Sequence, residues 1–191
     1  CPQALYRIIK PVVNLMAGIP SVVYGFFGLM LIVPFFQEIF GSSGKGLLTA
    51  SVILGIMILP TVISVSEAAL RAVPDSYFEG ALALGATKEK SVLFTVVPAA
   101  KSGILAGVVL GIGRAIGETM AVIMIAGNQP QIPHSLLDGV RTMTANIVIE
   151  MGYATDLHRE ALVATAVVLF VFILIINLCV SLLRSRSSDR S

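Results

Sequence analysis

Hydrophobic residues in this chain fall into runs of membrane length, separated by short polar stretches. Residues 46–66 carry no charge, nor do residues 161–183, and each run is long enough at helical rise to cross a hydrocarbon core of about 30 Å. Residues 17–37 are also uncharged but are punctuated by Pro20 and Pro34, and residues 102–127 form a fourth apolar run that contains Arg114 and Glu118. This pattern predicts four transmembrane helices in an all-α, polytopic membrane protein. Ahead of the first, Leu5, Ile8, Ile9, Val12, Val13 and Met16 recur at helical spacing beside Arg7 and Lys10, which predicts an amphipathic helix over residues 3–16 lying at the membrane interface.

Between the second and third apolar runs, residues 74–98 have the pattern of a short helical hairpin. Pro74 suits the first turn of a helix, where its missing N–H costs nothing, and Gly85 suits a left-handed C-terminal stop. Thr87 is placed to N-cap a second helix with Glu89 in its first turn, where the helix dipole favours negative charge, and that helix should stop near Pro98. Tyr77, Phe78, Ala81, Leu82 and Leu84 offer more apolar surface than two short helices can bury alone. A partner surface covers them, or, for a plain interfacial connector, lipid headgroups do.

Composition narrows the class. Hydrophobic residues make up 56% of the chain and charged residues 13%, which excludes a water-soluble globule, and a net charge of +2 gives no basis for nucleic-acid binding. The placement of charge is more informative. Arg7, Lys10, Arg71, Lys88, Lys90, Lys101, Arg184, Arg186 and Arg190 fall on one side of the predicted spans, and Lys45, Arg141 and Arg159 on the other. The positive-inside rule then makes the hairpin cytoplasmic. Residues 129–160 become an outer loop with a short helix over Thr142–Met151 at the membrane's outer face, and residues 184–191 a polar, disordered cytoplasmic tail.

Arg114 and Glu118 are ionisable residues inside a spanning segment, where a charge is costly unless paired or wetted. Four residues apart on one helix, they are spaced to pair. They project within the stripe of Gly103, Gly107 and Gly111, whose small residues admit a close helix neighbour, so this face is expected to point into protein. The pair is then either a structural pin between helices or part of a substrate path. Arginine offers a planar fork of donors to an oxyanion, and an ionised Glu118 can accept a P–OH proton that sulfate lacks.

Other chemistry is absent from the sequence. There is no phosphate-loop motif, Ile116 stands where a dinucleotide fingerprint after Gly111 needs its third glycine, and His134 and His158 lack metal-ligand spacing. Cys1 and Cys179 form neither a disulfide framework nor a zinc site. No cofactor is expected.

The order Glu79-x-Ala81, Gly85 and Pro98 resembles the EAA loop of bacterial ABC-importer permeases, with Gly80 in place of the second-position alanine, Thr95 for isoleucine and Val97 for leucine. Gly80 costs the first helix about 1 kcal/mol relative to alanine. Glu67-Ala68-Ala69 mimics the opening of the motif, but Val73 follows where glycine is required. Residues 113–122 and 18–25 are similar to signature segments of the PstC-type permeases of phosphate importers. The resemblance spans nearly the whole chain. It implies the MetI-like permease fold for residues 1–191, read as one transmembrane domain from a longer permease of the bacterial inner membrane. It also implies ATPase coupling through Glu79, Gly80, Ala81, Gly85 and Pro98, and phosphate passage past Arg114 and Glu118. The implied partners are a second permease subunit, cytoplasmic ATP-binding subunits and an external phosphate-binding protein. The rival readings are a permease for molybdate or sulfate, a proton-coupled carrier using Glu118, and a membrane scaffold or sensor.

Overall fold

A computed structural model describes residues 3–188, with side chains from residue 4 to residue 179. Cys1, residues 189–191 and the side chains of Arg184 and Arg186 lie outside that description. The helices run in the order α1 (Gln3–Gly18), α2 (Ser21–Phe40), α3 (Leu47–Arg71), α4 (Asp75–Ala83), α5 (Lys88–Ala99), α6 (Lys101–Ile116), α7 (Met120–Ile125), α8 (Met143–Met151) and α9 (Asp156–Ser188). Among the described residues α2, α3 and α9 are each long and apolar enough to cross a membrane, and α5 with α6, bent by 67° at Ala100, makes a fourth candidate.

Two of the prolines within these helices, Pro34 and Pro98, are absorbed by local widening, whereas Pro11 and Pro60 lie in unbroken α-helix. A proline in a helix removes one N–H and crowds the carbonyl four residues back. In α2 a π turn over Gly28–Ile32 precedes Pro34, with the Val33 N–H donating to the Gly28 carbonyl. In α5 the same device occupies Val92–Val96 ahead of Pro98, with the Val97 N–H donating to Val92. Each π turn shifts the ladder by one residue before the ring arrives. The first span is therefore Ser21–Phe40 rather than 17–37, because Gly18 ends α1 and Pro20 caps α2.

The core lies where α2, α3 and α7 meet, around Tyr24, Val33, Ala50, Ile53, Met57, Val122, Ile125 and Ala126. A second seam joins α6 to α3. A Cβ on Gly103 would collide with the Ala69 Cβ, one on Gly107 would stand 3.1 Å from the Val65 Cβ, and one on Gly111 2.8 Å from Val62 Cγ2, so the glycines let the two helices approach closely.

Two expectations are corrected and a third is extended. The third span is not continuous to residue 127: α6 stops at Ile116, residues 117–119 are non-helical, and α7 restarts at Met120. The helix α9 continues through Ser188, so residues 184–188 of the expected disordered tail are helical. The amphipathic α1 does expose Ile8, Val12 and Leu15, but it is also fastened to α3, where Glu67 accepts from Tyr6, Lys10 and Arg71 while Arg71 donates to the Tyr6 hydroxyl. The rejected motif decoy at Glu67 is thus a structural junction.

Candidate functional site

The hairpin closes as its turn chemistry requires. Gly85 has φ +86°, its N–H donates to the Leu82 carbonyl at 2.9 Å, and the Ala86 N–H donates to Ala81 at 3.1 Å, a left-handed stop that satisfies two orphan carbonyls of α4. Thr87 caps α5 by accepting from the Lys90 N–H at 3.4 Å. Pro74 stands at the N-cap, one residue earlier than expected, and Asp75 opens the helix. Glu79, Gly80 and Pro98 are exposed, and Ala81 is half-buried. At the tip Leu84 is 91% exposed, and Tyr77, Leu93 and Phe94 are also uncovered. Uncovered apolar side chains along one hairpin make it a candidate interaction surface.

Arg114 lies in the last turn of α6 and is exposed on the surface of the chain, although its Nη1 donates to Thr61 Oγ1 of α3 at 3.3 Å. Thr61 is fourteen residues from Leu47 and six from Glu67, where charge resumes, about 21 Å and 9 Å along α3, so the guanidinium sits beside the apolar stretch of the span, nearer its Glu67 end. Glu118, half-buried, does not pair with it. The break at 117–119 removes Glu118 from the face of α6, and its Oε1 accepts from the Ala121 N–H at 3.1 Å, capping α7. The expected one-turn ion pair set in the glycine seam is therefore not formed: the glycines pack on α3, Arg114 stands at the edge of that seam, and Glu118 belongs to the break. Two hydroxyls missed by the sequence reading complete the arrangement. Thr61 receives Arg114, and Thr144 donates to the Glu118 carbonyl at 3.1 Å. Thr61 beside Pro60 in an uncharged run was a visible polar anomaly, whereas nothing in the loop sequence marked Thr144.

The segment between α7 and α9 is pinned at several points. The Val140 N–H donates to Ala126 at 2.8 Å, the Leu47 and Leu48 N–H groups donate to Asp138 and Leu136, and Thr142 caps α8 by accepting from the Ala145 N–H. Arg141 donates through Nε to the Asn128 carbonyl at 2.9 Å and through Nη1 to Glu150 Oε1 at 2.6 Å, with His158 Nε2 3.8 Å from the other carboxylate oxygen. The Tyr153 hydroxyl and the Arg141 guanidinium hold the Glu150 carboxyl below its ordinary range against the opposing effect of desolvation. Because the folded value is depressed, this clamp is at full strength above the unfolded carboxylate value of about 4.3 and is lost as pH falls through the lower folded value. Trypsin cleavage after Arg141 in the membrane-embedded protein should stay constant between about pH 7 and pH 5 once corrected for the enzyme's own profile. Glu150→Gln should raise it throughout that window; cleavage of the variant at the wild-type rate would show that the carboxylate does not hold the loop.

Comparisons with known proteins agree with this architecture. The family model for the binding-protein-dependent transport system inner membrane component matches residues 2–189. The probable ABC transporter permease protein YqgH of Bacillus subtilis is 41% identical over 184 residues, covering 94% of this chain and 59% of its own length. The phosphate transport system permease proteins PstC of Mesorhizobium japonicum and Haemophilus influenzae are 38% and 37% identical, covering 92% and 89% of this chain. The chain spans about 60% of the length of each of these two relatives. A chain of the MetNI methionine ABC transporter in an inward-facing crystal form superposes with a TM-score of 0.73 at 23% identity, over 96% of this chain and 76% of that one, which is a likeness of fold.

Proposed function

This chain belongs to the family of binding-protein-dependent transport system inner membrane components, and from that premise we propose that it forms part of the translocation path of an ATP-driven phosphate importer. The observation that carries the proposal is the position of Arg114. A guanidinium beside the apolar stretch of a span that is exposed on its own subunit faces either lipid or something another subunit encloses, and the cost of a charge in hydrocarbon decides for the enclosed path. There it presents a fork of donors suited to an oxyanion. Glu118 keeps its second carboxylate oxygen for a P–OH donor while the first caps α7.

The remaining parts follow from the same reading. A second permease subunit closes the path, ATP-binding subunits seat on the apolar tip of the cytoplasmic hairpin, and an external phosphate-binding protein delivers the anion. Closure of the ATPases pushes residues 74–98, and the 67° bend at Ala100 converts that push into movement of α6 and Arg114. Hydrolysis itself belongs to the other subunits. Residues 103, 107 and 111 transmit the movement by keeping α6 tight on α3.

The test is phosphate uptake by the full-length protein assembled with its partners, with and without ATP and in competition with sulfate and molybdate. ATP-dependent phosphate uptake that excess sulfate or molybdate leaves intact is the expected result; transport of either competitor in preference to phosphate would reassign the substrate. A cysteine placed at Ala83 should crosslink to an ATP-binding subunit, and Leu84→Asp should cut uptake by about tenfold or more through loss of a buried leucine contact of roughly 1.5–3 kcal/mol. Undiminished uptake in Leu84→Asp would remove the hairpin tip from coupling.

A further inference from the structure

From the hydrogen bonding at residues 117–121 we infer that Thr144 is a positioning residue, holding the α6–α7 break open and thereby keeping Glu118 from pairing with Arg114. The inference rests on the reading of Arg114 and Glu118 as path residues and adds a switch to it.

A helix break inside an apolar span leaves carbonyls that hydrocarbon cannot satisfy. Here the Gly117 carbonyl accepts from the Thr119 hydroxyl at 3.2 Å and the Glu118 carbonyl from the Thr144 hydroxyl at 3.1 Å. The first donor is local to the break; the second arrives from α8, twenty-six residues away. If α6 and α7 joined into one helix, the Val122 N–H would take the Glu118 carbonyl by the ordinary i→i−4 bond, and the Ala121 N–H would leave the Glu118 carboxylate for the Gly117 carbonyl. Glu118 would then stand one turn beyond Arg114, at the spacing where opposite charges meet. Two arrangements of one segment thus exchange the same acceptors. In the broken one the charges are separated, with Arg114 on Thr61 and Glu118 on Ala121; in the continuous one they neutralise each other.

Thr144 biases this choice because its hydroxyl serves only the broken arrangement. Its position is set by α8, whose N-cap Thr142 lies 3.1 Å from Thr144 Oγ1 and follows directly on Arg141. The loop between α7 and α9 therefore has a physical line to the path residues. A displacement of α8 withdraws the hydroxyl, closes the helix and pairs the charges, which ends the exposure of Arg114 to an anion.

The experiment uses the full-length permease in its assembled transporter, comparing wild type, Thr144→Val, Thr144→Ser and Glu118→Gln. Backbone amide hydrogen exchange over residues 117–122 and phosphate uptake are measured on the same preparations. Thr144→Val should slow exchange at 118–122 by about tenfold as helical bonds replace the break, and should lower uptake about three- to tenfold, the factor one neutral hydrogen bond commands. Thr144→Ser, which keeps the hydroxyl, should restore both, and adding Glu118→Gln to Thr144→Val should cause no further loss of uptake. Unchanged exchange in Thr144→Val overturns the inference whatever uptake does, as do additive losses in the double variant. Slowed exchange with normal uptake in both Thr144→Val and Glu118→Gln leaves Thr144 as the residue that holds the break and overturns the pairing of Arg114 with Glu118 as a control on the path. If the valine variant fails to assemble, Thr144→Ala deletes the same hydroxyl with less bulk and is read by the same criteria.

Discussion

Arg114→Gln should reduce phosphate uptake by about ten- to hundredfold in a fully assembled transporter, the range expected when a charged hydrogen-bond donor to an anion is replaced by a neutral one. The side chain is exposed on the subunit and its one hydrogen bond among the described residues, to Thr61, is a long one at 3.3 Å, so its removal leaves the packing of α6 on α3 untouched. That seam is made by Gly103, Gly107 and Gly111, and assembly should be normal. Arg114→Lys separates charge from geometry. A lysine retains the positive field but not the planar fork, and uptake should fall between that of wild type and the glutamine variant, with poorer discrimination between phosphate and other small anions. Uptake of Arg114→Gln at the wild-type rate, in transporter shown to contain the subunit, would place the anion path elsewhere.

The long apolar runs made α3 and α9 legible, since an uncharged stretch of membrane length has few other solutions. Gly85 and Thr87 were legible for a different reason: a left-handed stop and a side-chain cap are local chemistry, and local chemistry is written in adjacent residues. The break at 117–119 was not. Its sequence, Gly-Glu-Thr within an apolar run, is compatible with a continuous helix, and what tips it is a hydroxyl from α8 and the close packing of α7 on α2, both set by distant residues. The same limit hid Thr61 as the partner of Arg114 and Glu67 as the junction of α1 with α3. Periodicity identifies a face but not the neighbour that meets it. The π turns ahead of Pro34 and Pro98 were likewise invisible, because a proline announces that the ladder must change and not whether the helix stops or widens.

The tightest contact near the break gives the largest expected effect on folding. A Cβ at Gly25 would lie 2.7 Å from the Ala121 Cα and 3.3 Å from the Ala121 carbonyl oxygen, both backbone atoms of α7, with Met124 Sδ at 3.0 Å on a third side. Met124 can move aside by changing rotamer, but the Ala121 backbone cannot, so Gly25→Ala must push α7 away from α2. Overpacking a well-filled core typically costs about 1–3 kcal/mol, and a backbone wall places this substitution toward the upper end. Gly28→Ala provides the contrast, because its neighbours are side-chain atoms and not backbone: Ile53 Cδ1 and Cγ1 at 3.0 Å and Ile125 Cγ2 at 3.2 Å. Gly55→Ala meets nothing within 4 Å in the middle of α3 and should be neutral or stabilising by about 0.5–1 kcal/mol through helix propensity. Thermal unfolding of the purified transporter should therefore rank Gly55→Ala at or above wild type, Gly28→Ala below it and Gly25→Ala lowest. Because the displaced helix is the one whose first turn is capped by Glu118, uptake per assembled transporter should fall in Gly25→Ala as well. Equal stability of the Gly25 and Gly55 variants would show that α7 is free to move, and the contact between α2 and α7 would then not hold the break in place.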